Sequence, residues 1–239
     1  SYDAYRGQNS NMHLTEALMA AFEATGDGEY LNRAKRVAEL IVRRHAAANA
    51  WRLPEHFDAD WQVDLAYSGD PVFRPHGSTP GHWLEWSRLL LQLWEMAGRE
   101  PSWMPEAARA LFARAVDEGW SASGGGFHYT LDWNGTAHIA ERYWWPCCEG
   151  IGAAAFLNAI DGDECYEHWY REIWNFAASR FIDRREGGWF AQIDDEGRPS
   201  ANPFHGKPDI YHALQACLIP LLPSDGSVVA GVRGGGLDP

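Results

Sequence analysis

Apolar side chains recur along this chain at intervals of three and four, the spacing that gathers them on one face of an α-helix. The pattern over 12–26 (MHLTEALMAAFEATG) predicts a helix ending near Gly26. Residues 30–48 repeat it, with basic side chains towards the C-terminal end, where they suit the helix dipole. A long connection runs from Asn49 to Pro80, and alternation over 61–67 (WQVDLAY) predicts a short strand within it. Helical spacing returns over 81–98, over 104–120 with Pro105 near the start, and then over 141–160, 163–182 and 208–222. Residues 124–135 (GGGFHYTLDWNG) and 187–199 (GGWFAQIDDEGRP) predict two hairpin-like excursions, the second with a DEG turn.

About seven helices with little strand make the chain all-α. The helices pair by similar length, and aromatic, β-prone loops separate the pairs. This two-helix rhythm predicts an α/α solenoid or toroid, although no sequence repeat of fixed period is visible. Residues 1–223 are expected to form one domain. The Gly-rich tail, 224–239, is expected to be loosely ordered or to cross the surface.

Composition narrows the function. The 239 residues can bury a sizeable core. The 13 Trp mostly serve as large fillers between helices, and a minority are candidates to line a carbohydrate cleft. A formal charge of −13 argues against nucleic acid or an anionic membrane as partner. No apolar run approaches the roughly 20 residues of a membrane span. Cys147, Cys148, Cys165 and Cys217 form no CxxC pair, so a reducing cytoplasm is the expected setting. HExxH, GxGxxG, Walker A and GxSxG motifs are absent from the sequence, and neither a metal nor a nucleotide cofactor is expected.

Three histidines sit near helix starts behind turn-forming residues: His13, His82 and His212. His82 and Glu85 are three residues apart and share a helix face. They read either as an imidazole tuned by a carboxylate for acid–base work near neutral pH or as a helix-surface pair. His13 alone reads as a helix-start residue, and His212, in an apolar helix, also as a core histidine. Glu149 enters a very apolar run, where a carboxylate needs a sugar hydroxyl or an arginine as partner, unless it is exposed at a helix start. Asn9 is a cap or a ligand. Phe73 and Trp145 are core residues or sugar platforms, and Gln192 is a loop residue of either kind.

Several stretches together resemble the N-acylglucosamine 2-epimerase superfamily, and in particular its aldose–ketose isomerase branch, which acts on mannose and sulfoquinovose. They are the run from Tyr5 to His13, Phe73-Arg74-Pro75 with the run from Thr79 to Trp86, Trp144-Trp145-Pro146 with Glu149, and the run from Lys207 to His212. They stand in the superfamily's order and span nearly the whole chain.

The resemblance implies an (α/α)6 barrel with its site in the central cleft. It implies His82 and His212 as the acid–base pair at the sugar C1–C2 unit, with Glu85 orienting His82. His13 and Asn9 would bind the sugar and assist ring opening, while Glu149, Trp145, Phe73 and Gln192 would line the pocket. The N-terminal helices of the pattern are absent, so this chain is expected to be a partial barrel. The rest would come from a longer or split protein, or a homo-oligomer would cover the open edges. The expected activity is isomerisation of D-mannose or a related hexose to its ketose. A sugar 2-epimerase, a sugar-binding but inactive fragment and a glycoside hydrolase are the alternatives.

Overall fold

The computed structural model describes residues 4–194, 196–201, 203–223 and 227–234. Helices dominate it. α1 is Gln8–Thr25, α2 Gly28–Ala38, α3 Pro80–Met96, α4 Trp103–Arg114, α5 Trp144–Asp161, α6 Glu164–Arg180, α7 Tyr211–Leu218 and α8 Val228–Arg233. α2 and α4 run on without a break into wider π-helical turns, Glu39–Ala46 and Ala115–Gly119. The predicted helices are all present. α8 is an addition, inside the segment expected as an irregular tail. Ser227 nucleates it by accepting the Ala230 N–H and donating to Glu23 on α1. The rest of that tail, 224–226 and 235–239, lies outside the described residues.

α1/α2, α3/α4 and α5/α6 are antiparallel hairpins. Burial divides the second and third pairs, and contacts set α1 and α7 beside the buried helices. α3 and α5 are buried over most of their length, whereas α2 and α6 each bury three residues within these spans. α3 packs on α1, α4 and α5, and α5 packs in turn on α7. The odd-numbered helices therefore form an inner layer and the even-numbered ones an outer layer. Leu84, Leu91, Ile151 and Leu157 tie the inner helices into one apolar core that continues through α1 and α7. Small residues on α5 permit the close approach: a Cβ on Gly152 would lie 3.1 Å from the Arg88 side chain.

Short strands lock the loops over one end of this layer. β1, Arg6–Gly7, pairs antiparallel with β2, His56–Phe57. β3, Thr130–Leu131, pairs with β4, Ala137–Ile139, so the hairpin predicted over 124–135 forms with its return strand beyond Gly135. β5, Arg142–Tyr143, pairs with β6, Gln192–Ile193, which pairs with β7, Pro199–Ser200, as the second predicted hairpin. Gly77 adopts φ +91°, and a Cβ there would meet the Leu131 carbonyl oxygen at 2.1 Å, so only glycine lets the 49–80 connection lie on β3. The strand predicted over 61–67 does not form; Val63 makes a lone bridge to Phe57. Aspartates before and within it capture the backbone. Asp58 accepts from the N–H groups of Asp60 and Gln62, and Asp64 accepts from Ala66, so local turns outcompete a ladder.

Candidate active site

The paired loops enclose a cavity of about 260 Å³ at the N-terminal ends of α3, α5 and α7. That is below the roughly 300–1,000 Å³ common for drug-sized ligands and suits a small substrate. Asn9, His13, Phe73, His82, Glu85, Trp145 and His212 all line it, so the structure brings most of the singled-out residues together.

His82 stands in the first turn of α3, which Thr79 and Pro80 begin. Its partner comes from the connection, not from its own helix. The β1–β2 pairing and the Gln8 N–H to Glu55 carbonyl bond, 3.0 Å, bring Glu55 beneath the start of α3. Nδ1 of His82 lies 3.0 Å from both Glu55 carboxylate oxygens. The same carboxylate accepts from the Gln8 amide at 2.8 Å and from the Thr79 N–H at 3.1 Å. Trp86 fixes that amide by donating to the Gln8 carbonyl oxygen at 2.8 Å. Burial alone would raise the Glu55 carboxyl, but the neighbouring His82 and Gln8 outweigh it and hold the group below its ordinary range.

His212 stands in the first turn of α7 and is oriented in the same way. Its Nδ1 lies 2.7 Å from Glu149 Oε1, and Glu149 Oε2 accepts from Arg88 Nε at 2.7 Å. Burial again opposes ionisation of Glu149, and Arg88 and His212 reverse it, leaving the carboxyl low. Both ion-pair partners are buried: Arg88 and Glu149 are each 1% exposed. An ionised carboxylate only accepts hydrogen bonds, so each histidine must carry its proton on Nδ1 when neutral, leaving Nε2 for chemistry. Trp145 touches both rings, with centroids 5.1 Å from His82 and 5.6 Å from His212 at nearly equal tilts of 35° and 34°.

Three expectations need correction. Glu85 does not hold His82, because the turn of α3 aims it elsewhere: its Oε1 lies 3.8 Å from His13 Nδ1 and 3.8 Å from Arg88 Nη2. Burial and the charge of Glu149 push the Glu85 carboxyl well up, so it stays protonated far beyond the usual carboxylate range. Glu149 does not line the cavity; it sits behind His212, and the arginine rather than a sugar is its second partner. Gln192 is also behind the wall, paired with Tyr143 in the ladder and donating to Ser200 at 3.1 Å. Phe73, by contrast, is 73% exposed at the mouth.

Sequence reasoning missed Glu55, as it missed Arg88. The sole trace of Glu55 is an acidic residue beside His56 amid apolar neighbours in the 49–80 connection. His56 lines the cavity too, accepting from the Tyr5 hydroxyl at Nδ1, 3.0 Å, and donating from Nε2 to the Pro75 carbonyl, 2.7 Å. Tyr129, Tyr143 and Asp209 complete a lining of aromatic faces and hydroxyl-binding groups. Among the described residues two clusters have metal-ligand types within 4.8 Å, His13 with Glu16 and Glu85, and Glu85 with Glu149 and His212. Arg88 already places a cation 3.7 Å from Glu16, 3.8 Å from Glu85 and 2.7 Å from Glu149, so these carboxylates are arranged around a guanidinium.

The family described as N-acylglucosamine 2-epimerase matches residues 1–216. A D-mannose isomerase of Thermobifida fusca is 49% identical over 226 residues, covering 92% of this chain and 56% of that protein. A D-mannose isomerase of Pseudomonas cannabina pv. alisalensis is 42% identical over 240 residues, covering 97% of this chain and 58% of that protein. A crystal structure of a D-mannose isomerase superposes with a TM-score of 0.87 at 36% identity, over 92% of this chain and 57% of that one. Cellobiose 2-epimerase from Spirochaeta thermophila, 22% identical with a TM-score of 0.75 over 90% of this chain and 51% of its own, shares the fold. The chain thus spans a little over half the length of the curated relatives it matches. Its helical hairpins are those of an (α/α)6 barrel, as the resemblance implied, and the chain belongs to the N-acylglucosamine 2-epimerase family.

Proposed function

We propose that the protein containing this chain is an aldose–ketose isomerase that interconverts D-mannose, or a closely related hexose, and its ketose. One observation carries the reading. Two histidines share a sugar-sized aromatic cavity, and each has Nδ1 tied to a buried ionised carboxylate. The C2 proton of an open-chain aldose is weakly acidic. Its removal needs a base within about 3 Å and a donor for the developing enediolate oxygen. One Nε2 removes the C2 proton and returns it to C1. The other histidine, as imidazolium, donates a proton to O1 and takes up the proton that the O2 hydroxyl loses, so that both histidines end as they began. Trp145 offers a flat face against both, and His13, Asn9 and Asp209 are placed to hold hydroxyls. The identity to D-mannose isomerases of T. fusca and P. cannabina supports the choice of sugar.

The test is NMR of the intact protein with D-mannose in deuterium oxide. Deuterium entering the sugar together with appearance of a ketose is expected. Mannose that keeps its C2 proton and its identity would sink the proposal. The near-symmetric placement of His82 and His212 about Trp145 also favours a second reading, a 2-epimerase, because epimerisation needs proton return from the opposite face. The same spectrum separates the two, since that product is an aldose.

A further inference from the structure

The two histidine arms differ behind the ring. Glu55, which holds His82, is met by neutral donors, the Gln8 amide and the Thr79 N–H. Glu149, which holds His212, is met by a buried cation, Arg88. The difference has a cause in the packing. Glu149 of α5 is crowded by Glu85 of α3 and Glu16 of α1, and all three carboxylates converge on the one guanidinium. Without a cation the buried cluster could not hold Glu149 ionised. Arg88 is itself fixed, since Nη1 donates to Gln92 at 2.8 Å and its stem lies against Gly152.

We propose that Arg88 is a positioning residue for proton transfer: its guanidinium keeps Glu149 a pure hydrogen-bond acceptor, and that acceptor confines the His212 proton to Nδ1, baring Nε2 to the cavity. The proposal rests on the isomerase reading for its consequence in turnover, but not for its consequence in the ring. The other groups around the carboxylate do not replace Arg88. Tyr211 beside His212 donates to Glu16, and His13 approaches Glu16 and Glu85 at 3.8 Å, so both serve the other carboxylates. Cys148, next along α5, has its thiol pushed well up by burial and brings no charge. The guanidinium is the permanent cation in contact with Glu149 among the described residues.

The logic makes an unusual demand on the near-isosteric variant Glu149→Gln. Arg88 can only donate, so it takes the amide oxygen and turns the amide NH2 towards His212. Nδ1 must then accept, and the proton moves to Nε2. In the double variant Arg88→Met/Glu149→Gln nothing orients the amide from behind. Its oxygen can turn to the ring, and the proton returns to Nδ1.

The experiment is histidine 15N NMR of the chain at pH 8, with the His212 signals identified by their loss in His212→Gln. The parent is expected to show an unprotonated Nε2. Glu149→Gln is expected to show a protonated Nε2, and the double variant to restore the parent pattern. Removing Arg88 strands the buried Glu149 charge and is strongly destabilising; Glu149→Gln keeps shape and volume and leaves Arg88 its contacts to Glu16, Glu85 and Gln92, so it carries the test should the arginine variant not fold. A folded Glu149→Gln with Nε2 still bare overturns the proposal, as does a folded double variant that stays protonated at Nε2. In the intact protein Glu149→Gln is expected to lower kcat by on the order of 10²–10⁴-fold, the share general base catalysis supplies, with little change in KM. Failure of the parent to exchange the mannose C2 proton would sink the isomerase reading and leave the tautomer result standing.

Discussion

At the scale of single residues, two buried carboxyls, Glu55 and Glu85, take opposite charge states, and each leaves a mark on stability. The Glu55 carboxyl lies below its unfolded value. Its contribution is therefore present above about pH 4.3 and is lost as acid carries the pH down through the folded value. Glu55→Gln is expected to flatten the acid limb of a melting-temperature profile; an unchanged limb would refute the ion pair with His82. The same change is expected to cost on the order of 10²-fold or more in turnover of the intact protein, because His82 loses the acceptor that fixes its tautomer. The Glu85 carboxyl is raised, so the sign reverses. The unfolded chain ionises first as pH rises, and the folded state loses stability from about pH 4.3 upwards until Glu85 itself ionises. Glu85→Gln is then expected to melt higher than the parent at pH 8, with the gap closing at pH 4. A gap that widens towards acid would contradict a protonated Glu85. The sequence offered the histidines and Glu85 because a local spacing marks them. It could not offer Glu55 or Arg88, since Glu55 reaches His82 across 27 positions and Arg88 reaches Glu149 across 61. What pairs them is the β1–β2 ladder and the packing of α3 on α5, neither of which leaves a periodic trace.

At the scale of elements, the helices were legible because their apolar faces repeat with the helical period and their ends carry stop signals, as at Gly26. Whether a short alternating run becomes a strand was not legible. Alternation in 61–67 lost to aspartate turns, whereas 124–135 and 187–199 found partners close in sequence. The wide turns that continue α2 and α4 also have no signature in the apolar spacing. One element junction governs the site. Gly81, at the start of α3, lets the Trp145 ring lie on the backbone, and a Cβ there would stand 2.4 Å from the ring. Gly81→Ala must displace the indole from its place against His82 and His212. A cost of about 1–3 kcal/mol is expected from the overpacking, read as a lowered melting temperature with altered tryptophan fluorescence. Normal stability with the parent spectrum would show that the indole is not seated there. The cap of α6 gives a milder test away from the cavity. Asp163 accepts the Cys165 N–H at 2.9 Å, so Asp163→Ala is expected to cost about 0.5–2 kcal/mol while leaving the histidine signals unchanged.

At the scale of the whole molecule, the inner layer decides how the chain behaves as a unit. One continuous apolar core joins α1, α3, α5 and α7, and the catalytic candidates stand at the N-terminal ends of two of these helices, His82 on α3 and His212 on α7. The bond network crosses the same layer, running from α1 through Arg88 on α3 to Glu149 on α5 and His212 on α7. No subset of hairpins can come away without opening both core and network. The described part of residues 1–223 is therefore expected to melt as one cooperative body despite its hairpin-by-hairpin construction. Far-UV circular dichroism follows the helices, and tryptophan emission follows a core rich in indoles such as Trp83, Trp86 and Trp144. The two curves should share a midpoint. Within the folded state the layers should differ. α3 and α5 bury most of their residues and should exchange their amide protons only on global opening. α2 and α6 present most of theirs to solvent and should exchange through local opening at lower free energy. Separate midpoints, or α5 exchanging as fast as α6, would mean that the hairpins fold as independent repeats. In that case the pairing of His82 with His212 would have to be held by the helix termini and loops alone.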